Sequence, residues 1–179
     1  MASESVLLRV EGAAVAPLSL TFESFDGMPE GMQVPDVSRF HPTRKGDAVT
    51  LSSLIELAGP LPGVTHVTLH ADRDDFHVSV PIDAIRDQGL VVYKVGDGPL
   101  AVEQGGPIRL LLRDPAACHA DDLDECANVK YLSRIELTRG RGRDTRPVDD
   151  AEHQALHQKQ VALDGFQVDR ANQTIRPKN

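Results

Sequence analysis

The sequence predicts an α+β fold that is mainly β, and three observations support this class. Short apolar segments, some alternating and some continuous, recur along the chain and are separated by glycine, proline and aspartate clusters. Helical patterns are few and short. The 179 residues include 40% hydrophobic and 26% charged residues, which suits one globular domain with at most a small appendage.

The N-terminal part of the chain predicts one strand, a long loop and a helix. Val6–Val10 forms the first predicted strand, and the glycines and prolines of segment 27–42 predict an irregular loop. A short helix follows, because Ser53 and Glu56 fit a capping box and Gly59 provides a stop signal.

Strands dominate the middle of the chain. Val67 and Leu69 share one face of a predicted strand, and Phe76, Val78 and Val80 share one face of the next. The polar sequence ADRDD between them predicts a hairpin-like connection. The remaining predicted elements are a helical turn at Pro81–Gln88 and strands at Leu90–Val95, Ile108–Arg113 and Val129–Thr138.

The C-terminal part differs in character from the rest. We predict a domain over residues 1–138 and a linker over 139–148, because RGRGRDTRP is basic and rich in glycine. Asp149 and Glu152 fit a helix cap, so residues 149–179 are expected to form a C-terminal helix and tail.

Charge and hydropathy exclude several functional classes. The net charge is −8, which removes the main driving force for bulk nucleic-acid binding. The N-terminus has no basic stretch before an apolar run, so we expect no signal peptide. The apolar runs are too short to cross a bilayer, so we expect no membrane association. We therefore expect a cytoplasmic protein with reduced cysteines.

Residue types and spacing alone indicate two groups of residues that could hold a metal or support catalysis. Cys118 and Cys126, with His119 beside the first, could form a small zinc clip or simply belong to a solvated acidic loop. In the long loop, Ser38 and His41 could act with a nearby aspartate as a hydrolytic group, although triads normally assemble from distant segments.

The histidines of the predicted hairpin form a separate candidate group. His66 and His70 have the same strand parity, so they could lie on one face, and His77 follows in the next strand. A polar sheet face explains this pair more simply than a binding site.

Several motifs, in a fixed order, carry a family resemblance. The opening LLRVEGAAVAPLSLTFESF precedes a helix motif with the pattern V-x-L-x-x-L, followed by GPLAVEQGGPIR and NVKYLSRI. The last three motifs occupy Val49–Gly59, Gly98–Arg109 and Asn128–Ile135. In this order they resemble the molybdopterin-binding domain of the sulfite oxidase family over roughly residues 6–138. The resemblance implies that family's mainly β, α+β fold, with the C-terminal helix as an extension.

The resemblance also implies a cofactor and a set of site residues. The implied cofactor is molybdenum–molybdopterin, or a related anion. Arg109 and Lys130 would hold an anionic phosphate or oxyanion, with Asn128 and Val129 supplying backbone groups. The loop facing the implied site contains Ser38, Arg39 and His41.

The sequence departs from the family pattern where chemistry would occur. The family has a molybdenum-ligating cysteine in the loop before the helix, and the nearest match here is Val37 or Ser38. Three hypotheses follow. The domain is degenerate and non-catalytic; it is an active molybdenum oxidoreductase for a small oxyanion or sulfoxide-type substrate, with Cys118 or Cys126 as a substitute ligand; or it is a zinc-clip interaction module.

Overall fold

Ten strands in two sheets dominate the computed structural model, which describes residues 4–114 and 128–146. The strands are β1 Leu8–Gly12, β2 Leu18–Leu20, β3 Gln33–Val34, β4 Asp47–Thr50, β5 His66–Ala71, β6 Phe76–Pro81, β7 Gly89–Val95, β8 Gly98–Pro99, β9 Arg109–Leu112 and β10 Arg134–Thr138. The α-helices are α1 Phe22–Asp26, α2 Leu51–Ala58 and α3 Ile82–Ile85. These elements confirm the predicted mainly β, α+β class.

Residues up to Thr145 belong to one compact unit. A second unit comprises residues 146–179, of which only Arg146 is described. The predicted C-terminal helix and tail therefore lie outside the described residues. Within the described ranges, no helix is long and apolar enough to cross a membrane.

The first sheet places the two ends of the described chain side by side. Its strand order is β2-β1-β10-β5-β6. Strands β1 and β10 are parallel, with Val10 opposite Ile135, and the other pairs are antiparallel. Strand β10 therefore lies at the centre of this sheet although it is the last of the strands in the described residues.

The β5–β6 hairpin confirms the predicted alternation. Val67 lies opposite Val80 and Leu69 lies opposite Val78, and all four side chains are buried in the main core. The opposite face is polar. Its buried members are Thr68, His70, His77 and Ser79.

The second sheet has the order β3-β4-β7-β8, with β9 also paired to β7. Strand β7 is buried on both faces, as its continuous apolar run predicts. Val91 and Tyr93 contribute to the main core, whereas Leu90 and Val92 join a smaller cluster. This smaller cluster connects the sheet to the loop between β3 and β4 through Val37.

Helix α2 forms where the motif predicts it, but its capping residue differs from the expectation. Thr50 is the N-cap, and its hydroxyl accepts a hydrogen bond from the backbone N–H of Ser53 at 3.3 Å. The predicted Ser53 cap is therefore wrong. Strand β4 leads directly into the helix, which starts the helix at Leu51. Gly59 ends it, as predicted.

The last predicted strand is shorter than expected. Regular β10 begins at Arg134 rather than Val129. Tyr131 has a positive φ of 54°, which interrupts an extended conformation. Residues 128–132 instead run beside β9, where Leu110 N donates to Val129 O at 2.8 Å and Leu132 N donates to Ile108 O at 2.9 Å.

Candidate functional site

A cavity of about 380 Å³ opens beside the second sheet. Its lining combines an apolar side with a cluster of basic and polar groups. The apolar lining residues are Val92, Leu100 and Leu111, and the polar ones are Thr43, Arg44, Lys45, Glu103, Gln104 and Arg109. The basic residues outnumber the single acidic one, so the cavity suits an anion with an apolar part.

Arg109 is the most unusual residue of this cavity. It begins β9 and is only 5% exposed. Its Nη1 donates a hydrogen bond to the carbonyl oxygen of Gln104 at 2.8 Å, but its Nε has no hydrogen-bond partner. Within the described ranges, no carboxylate forms an ion pair with it. A buried guanidinium with an unsatisfied N–H is costly unless an anion completes its surroundings.

The electrostatics of the cavity agree with this interpretation. Burial, together with weaker repulsion from the Arg44 guanidinium, lowers the pKa of Arg109 to about 10. Arg109 stays protonated at neutral pH. Two guanidinium groups therefore repel each other at the cavity wall, and a bound anion would relieve both the repulsion and the loss of hydration.

Gly105 allows a lysine to approach Arg109. Its φ is +88°, and a Cβ at this position would lie 2.9 Å from Lys130 Cγ and 3.5 Å from Arg109 Nη1. The Gly105 carbonyl also accepts a hydrogen bond from Tyr131 N at 2.7 Å, which fixes the segment containing Lys130. A glycine here leaves room for the aliphatic stem of Lys130 beside the Arg109 guanidinium, but Lys130 is not in the cavity lining.

Asn128 and Val129 accept hydrogen bonds from the backbone of β9 in this structure. The Asn128 side-chain oxygen accepts a hydrogen bond from Leu112 N at 2.7 Å. The Val129 carbonyl accepts from Leu110 N, and the Val129 side chain is fully buried. Both residues therefore position Lys130 beside β9, which is a supporting role in the site.

The loop before α2 places its basic residues in the cavity lining. Arg44 and Lys45 are in the lining, whereas Ser38, Arg39 and His41 are not. The sequence reasoning did not select these two residues, although TRKG is a basic run immediately before β4. Their proximity to Arg109 depends on a long-range approach that the aperiodic loop sequence does not reveal.

The three residues selected from this loop have other partners. The Ser38 hydroxyl donates a hydrogen bond to Asp36 Oδ1 at 2.5 Å. This bond and a second one from the Ser38 backbone N–H lower the pKa of Asp36. His41 Nε2 contacts the Leu112 carbonyl oxygen instead of Ser38. The loop therefore does not assemble the hydrolytic group considered from sequence. Arg39 donates to the carbonyl oxygen of Pro35 at 3.0 Å.

The candidate zinc clip lies outside the described residues, because Cys118 and Cys126 both fall within 115–127. The Asn128–Leu112 hydrogen bond connects the flanks of this segment next to β9, the strand that contains Arg109.

The fold and cavity together define a mainly β domain with a cavity that is rich in basic side chains, one of them buried. The family model for the oxidoreductase molybdopterin-binding domain matches residues 46–145, which is more than half of the chain. The chain belongs to this family, as the order of its motifs predicts.

A solved structure supports the fold. The sulfane dehydrogenase SoxCD from Paracoccus pantotrophus matches with a TM-score of 0.54 and 18% sequence identity. The match covers 75% of this chain and 38% of that one, so the present chain corresponds to well under half of that neighbour. A search of curated proteins found no significant match.

Proposed function

We propose that this protein binds the anionic part of a molybdopterin-type cofactor in the Arg109 cavity without using it for catalysis. The observation that carries the proposal is the buried Arg109 guanidinium, which has an Nε without a hydrogen-bond partner and no carboxylate counter-ion within the described ranges. Membership of a molybdopterin-binding family supplies the chemical class of the anion.

The residues of the cavity suit this ligand in two ways. Arg109 offers a planar fork to a phosphate oxygen pair, and Arg44 and Lys45 add positive charge in the same lining. The apolar side chains Leu100 and Leu111 suit the flat face of a heterocycle. When bound, the cofactor would supply a redox-active metal held by sulfur ligands.

The non-catalytic part of the proposal rests on the loop before α2. No cysteine occurs between Gly27 and Gly59, and the hydroxyl at the best sequence match to the family's cysteine, that of Ser38, donates to Asp36. A hydroxyl in a hydrogen bond to a carboxylate does not replace a soft thiolate ligand. We therefore infer binding without the thiolate that would anchor and tune a molybdenum centre.

Production in a host that makes molybdopterin tests the proposal. The purified full chain is analysed for pterin by fluorescence and for molybdenum by mass spectrometry. We expect pterin in the wild type and its loss in the Arg109→Met variant. Arg86→Met, a change on the surface outside the cavity lining, serves as the matched control and should retain the wild-type content. Absence of pterin from the wild type would overturn cofactor binding.

A second measurement addresses the active-enzyme alternative. The hydrogen bond between Leu112 and Asn128 is the observation behind this alternative. Both cysteines lie between these two residues and are close in sequence to β9, the strand that contains Arg109. We expect no turnover of sulfite or a sulfoxide, whether or not molybdenum is present. Turnover that disappears in Cys118→Ser or Cys126→Ser would overturn the non-catalytic assignment and support a substitute thiolate ligand.

A further inference from the structure

Two buried histidines face each other across the β5–β6 hairpin, away from the Arg109 cavity residues. His70 and His77 are direct register partners, and they are 3% and 2% exposed. Their Nδ1 atoms lie 2.7 Å apart. Each ring also contacts a carboxylate through its far nitrogen: His70 Nε2 lies 2.8 Å from Glu136, and His77 Nε2 lies 3.0 Å from Asp75.

The hydrogens of this arrangement do not balance for two neutral rings. Three contacts need three hydrogens, whereas two neutral imidazoles carry two. Each carboxylate favours a hydrogen on the imidazole nitrogen that faces it, so both rings are Nε2–H tautomers. The two Nδ1 lone pairs then point at each other. A cation between the two nitrogens, either an extra proton or a metal ion, would remove this repulsion.

Burial disfavours the extra proton. Both rings are almost completely buried, at 3% and 2% exposed, so a charged imidazolium there would lose most of its hydration. The neutral imidazole is the form that binds metals. A carboxylate on the far nitrogen is also the usual outer partner of a metal-binding histidine, and both histidines have one.

A third potential ligand lies next to the pair. One ligand atom from each of His70, His77 and Asp72 lies within 4.8 Å of the other two. Asp72 Oδ2 accepts hydrogen bonds from Ser133 at 2.5 Å and from Arg134 at 3.2 Å. Asp72 Oδ1 accepts a hydrogen bond from Arg134 at 3.3 Å and keeps a lone pair for a metal ion. These bonds hold the carboxylate in a fixed orientation.

The local charge favours a cation. Three carboxylates surround the histidines, those of Asp72, Asp75 and Glu136, and two guanidinium groups face them. Arg134 binds Asp72 and Arg143 binds Asp75. The sum leaves one negative charge, and Glu11, which also binds Arg134, adds a second at the edge of the cluster.

We propose that His70, His77 and Asp72 form a binding site for a first-row divalent cation, with zinc as the best fit. Two imidazoles and one carboxylate are a common zinc donor set. Two Zn–N bonds at a tetrahedral angle place the nitrogens about 3.3 Å apart, so the rings must separate by roughly half an ångström. Asp72 is exposed, so a water molecule can occupy the fourth position.

The proposed site lies under a segment that it would stabilise. Thr145 N donates to the His77 carbonyl at 2.8 Å, and His77 N donates to Thr145 Oγ1 at 2.9 Å. Arg143 binds Asp75, the outer partner of His77. Bound zinc would fix the hairpin face on which residues 142–145 lie, so it should slow tryptic cleavage after Arg141 and Arg143.

Zinc titration of the full chain tests the proposal. The protein carries Cys118→Ser and Cys126→Ser, so that thiolates cannot bind the metal, and it is treated with a chelator before calorimetry with zinc chloride. We expect one zinc ion per chain and slower trypsin cleavage. Cobalt in place of zinc should give the visible absorption bands of a tetrahedral site.

Matched variants in the same background assign the ligands. His77→Asn and Asp72→Asn should each weaken zinc binding at least about 10-fold, and Glu136→Gln should weaken it by about 10- to 100-fold through its effect on His70. His66→Asn is the control, because His66 shares the β5 strand but contacts Thr65. It should bind zinc like the parent.

Two results would overturn the site. One is the absence of saturable zinc binding by the parent protein. The other is unchanged affinity in Asp72→Asn, whose carboxylate is exposed and whose replacement should leave the fold intact by circular dichroism. If His77→Asn does not fold, Asp72→Asn and Glu136→Gln still decide the matter. These measurements need no pterin, so their outcome is independent of the cofactor proposal.

Discussion

Replacement of Arg109 by methionine distinguishes an arginine kept for binding from one kept for stability. Loss of hydration is the main reason that the pKa of Arg109 falls to about 10, well below the usual value of an arginine. This shift corresponds to about 3 kcal/mol of cost for burying the charged group. The hydrogen bond from Arg109 to the Gln104 carbonyl, at 2.8 Å, returns about 2 kcal/mol because its donor is charged.

The difference between the burial cost and the hydrogen-bond contribution gives the expected change in the free energy of unfolding. Arg109→Met removes both contributions, so the free energy of unfolding should stay unchanged or rise by about 1 kcal/mol. Urea denaturation followed by circular dichroism measures this quantity. The apolar side chains around Arg109 can accept a methionine, which has similar length and adapts to irregular space.

A second arginine supplies the contrast. Arg134 has its partners in place, because it binds both Glu11 and Asp72, and these carboxylates raise its pKa. Arg134→Met should therefore lower the free energy of unfolding by about 1–2 kcal/mol. If Arg109→Met instead destabilised the protein by more than about 2 kcal/mol, Arg109 would be a structural residue and the argument for an anion pocket would fail.

Three further predictions concern the frame around the site. Thr50→Ala should lower the free energy of unfolding by about 1 kcal/mol because the helix loses its cap. Thr50→Ser keeps a hydroxyl and should retain most of this stability. Equal losses for the two variants in thermal unfolding would contradict the capping role. Leu54→Ala should cost about 2–5 kcal/mol because Leu54 is fully buried, while Leu57→Ala on the same helix should cost little at 43% exposure; similar urea midpoints would refute this. Gly105→Ala should cost more than Gly96→Ala and also lower pterin content, because both positions have positive φ but only Gly105 meets a lysine side chain.

The sequence predicted the class of fold, but it selected only one of the three cations that line the cavity. The motif order predicted the mainly β domain, and it selected Arg109, which lines the cavity, and Lys130, which does not. It did not select Arg44 or Lys45, because their approach to β9 depends on where an aperiodic loop crosses the second sheet. Contacts of this kind are long-range, and local pattern carries no information about them.

The histidine pair shows a different limit. Strand parity associates His70 with His66, which is correct for one face of β5 but misses the partner on the next strand. His77 lies opposite His70 only because the four-residue connection 72–75 sets the hairpin register at Ala71 and Phe76. A one-residue difference in that turn would place the two histidines on opposite faces.

The central position of β10 has a consequence for how the chain must fold. In the first sheet β10 lies between β1 and β5. Strands β1 and β2 therefore cannot join this sheet until synthesis has reached Thr138. Until then, the edge of β1 that pairs with β10 stays unpaired, because its partner lies more than a hundred residues further along the chain. A chain cut to residues 46–145 would lack both strands and leave one edge of β10 open, which invites aggregation through that edge.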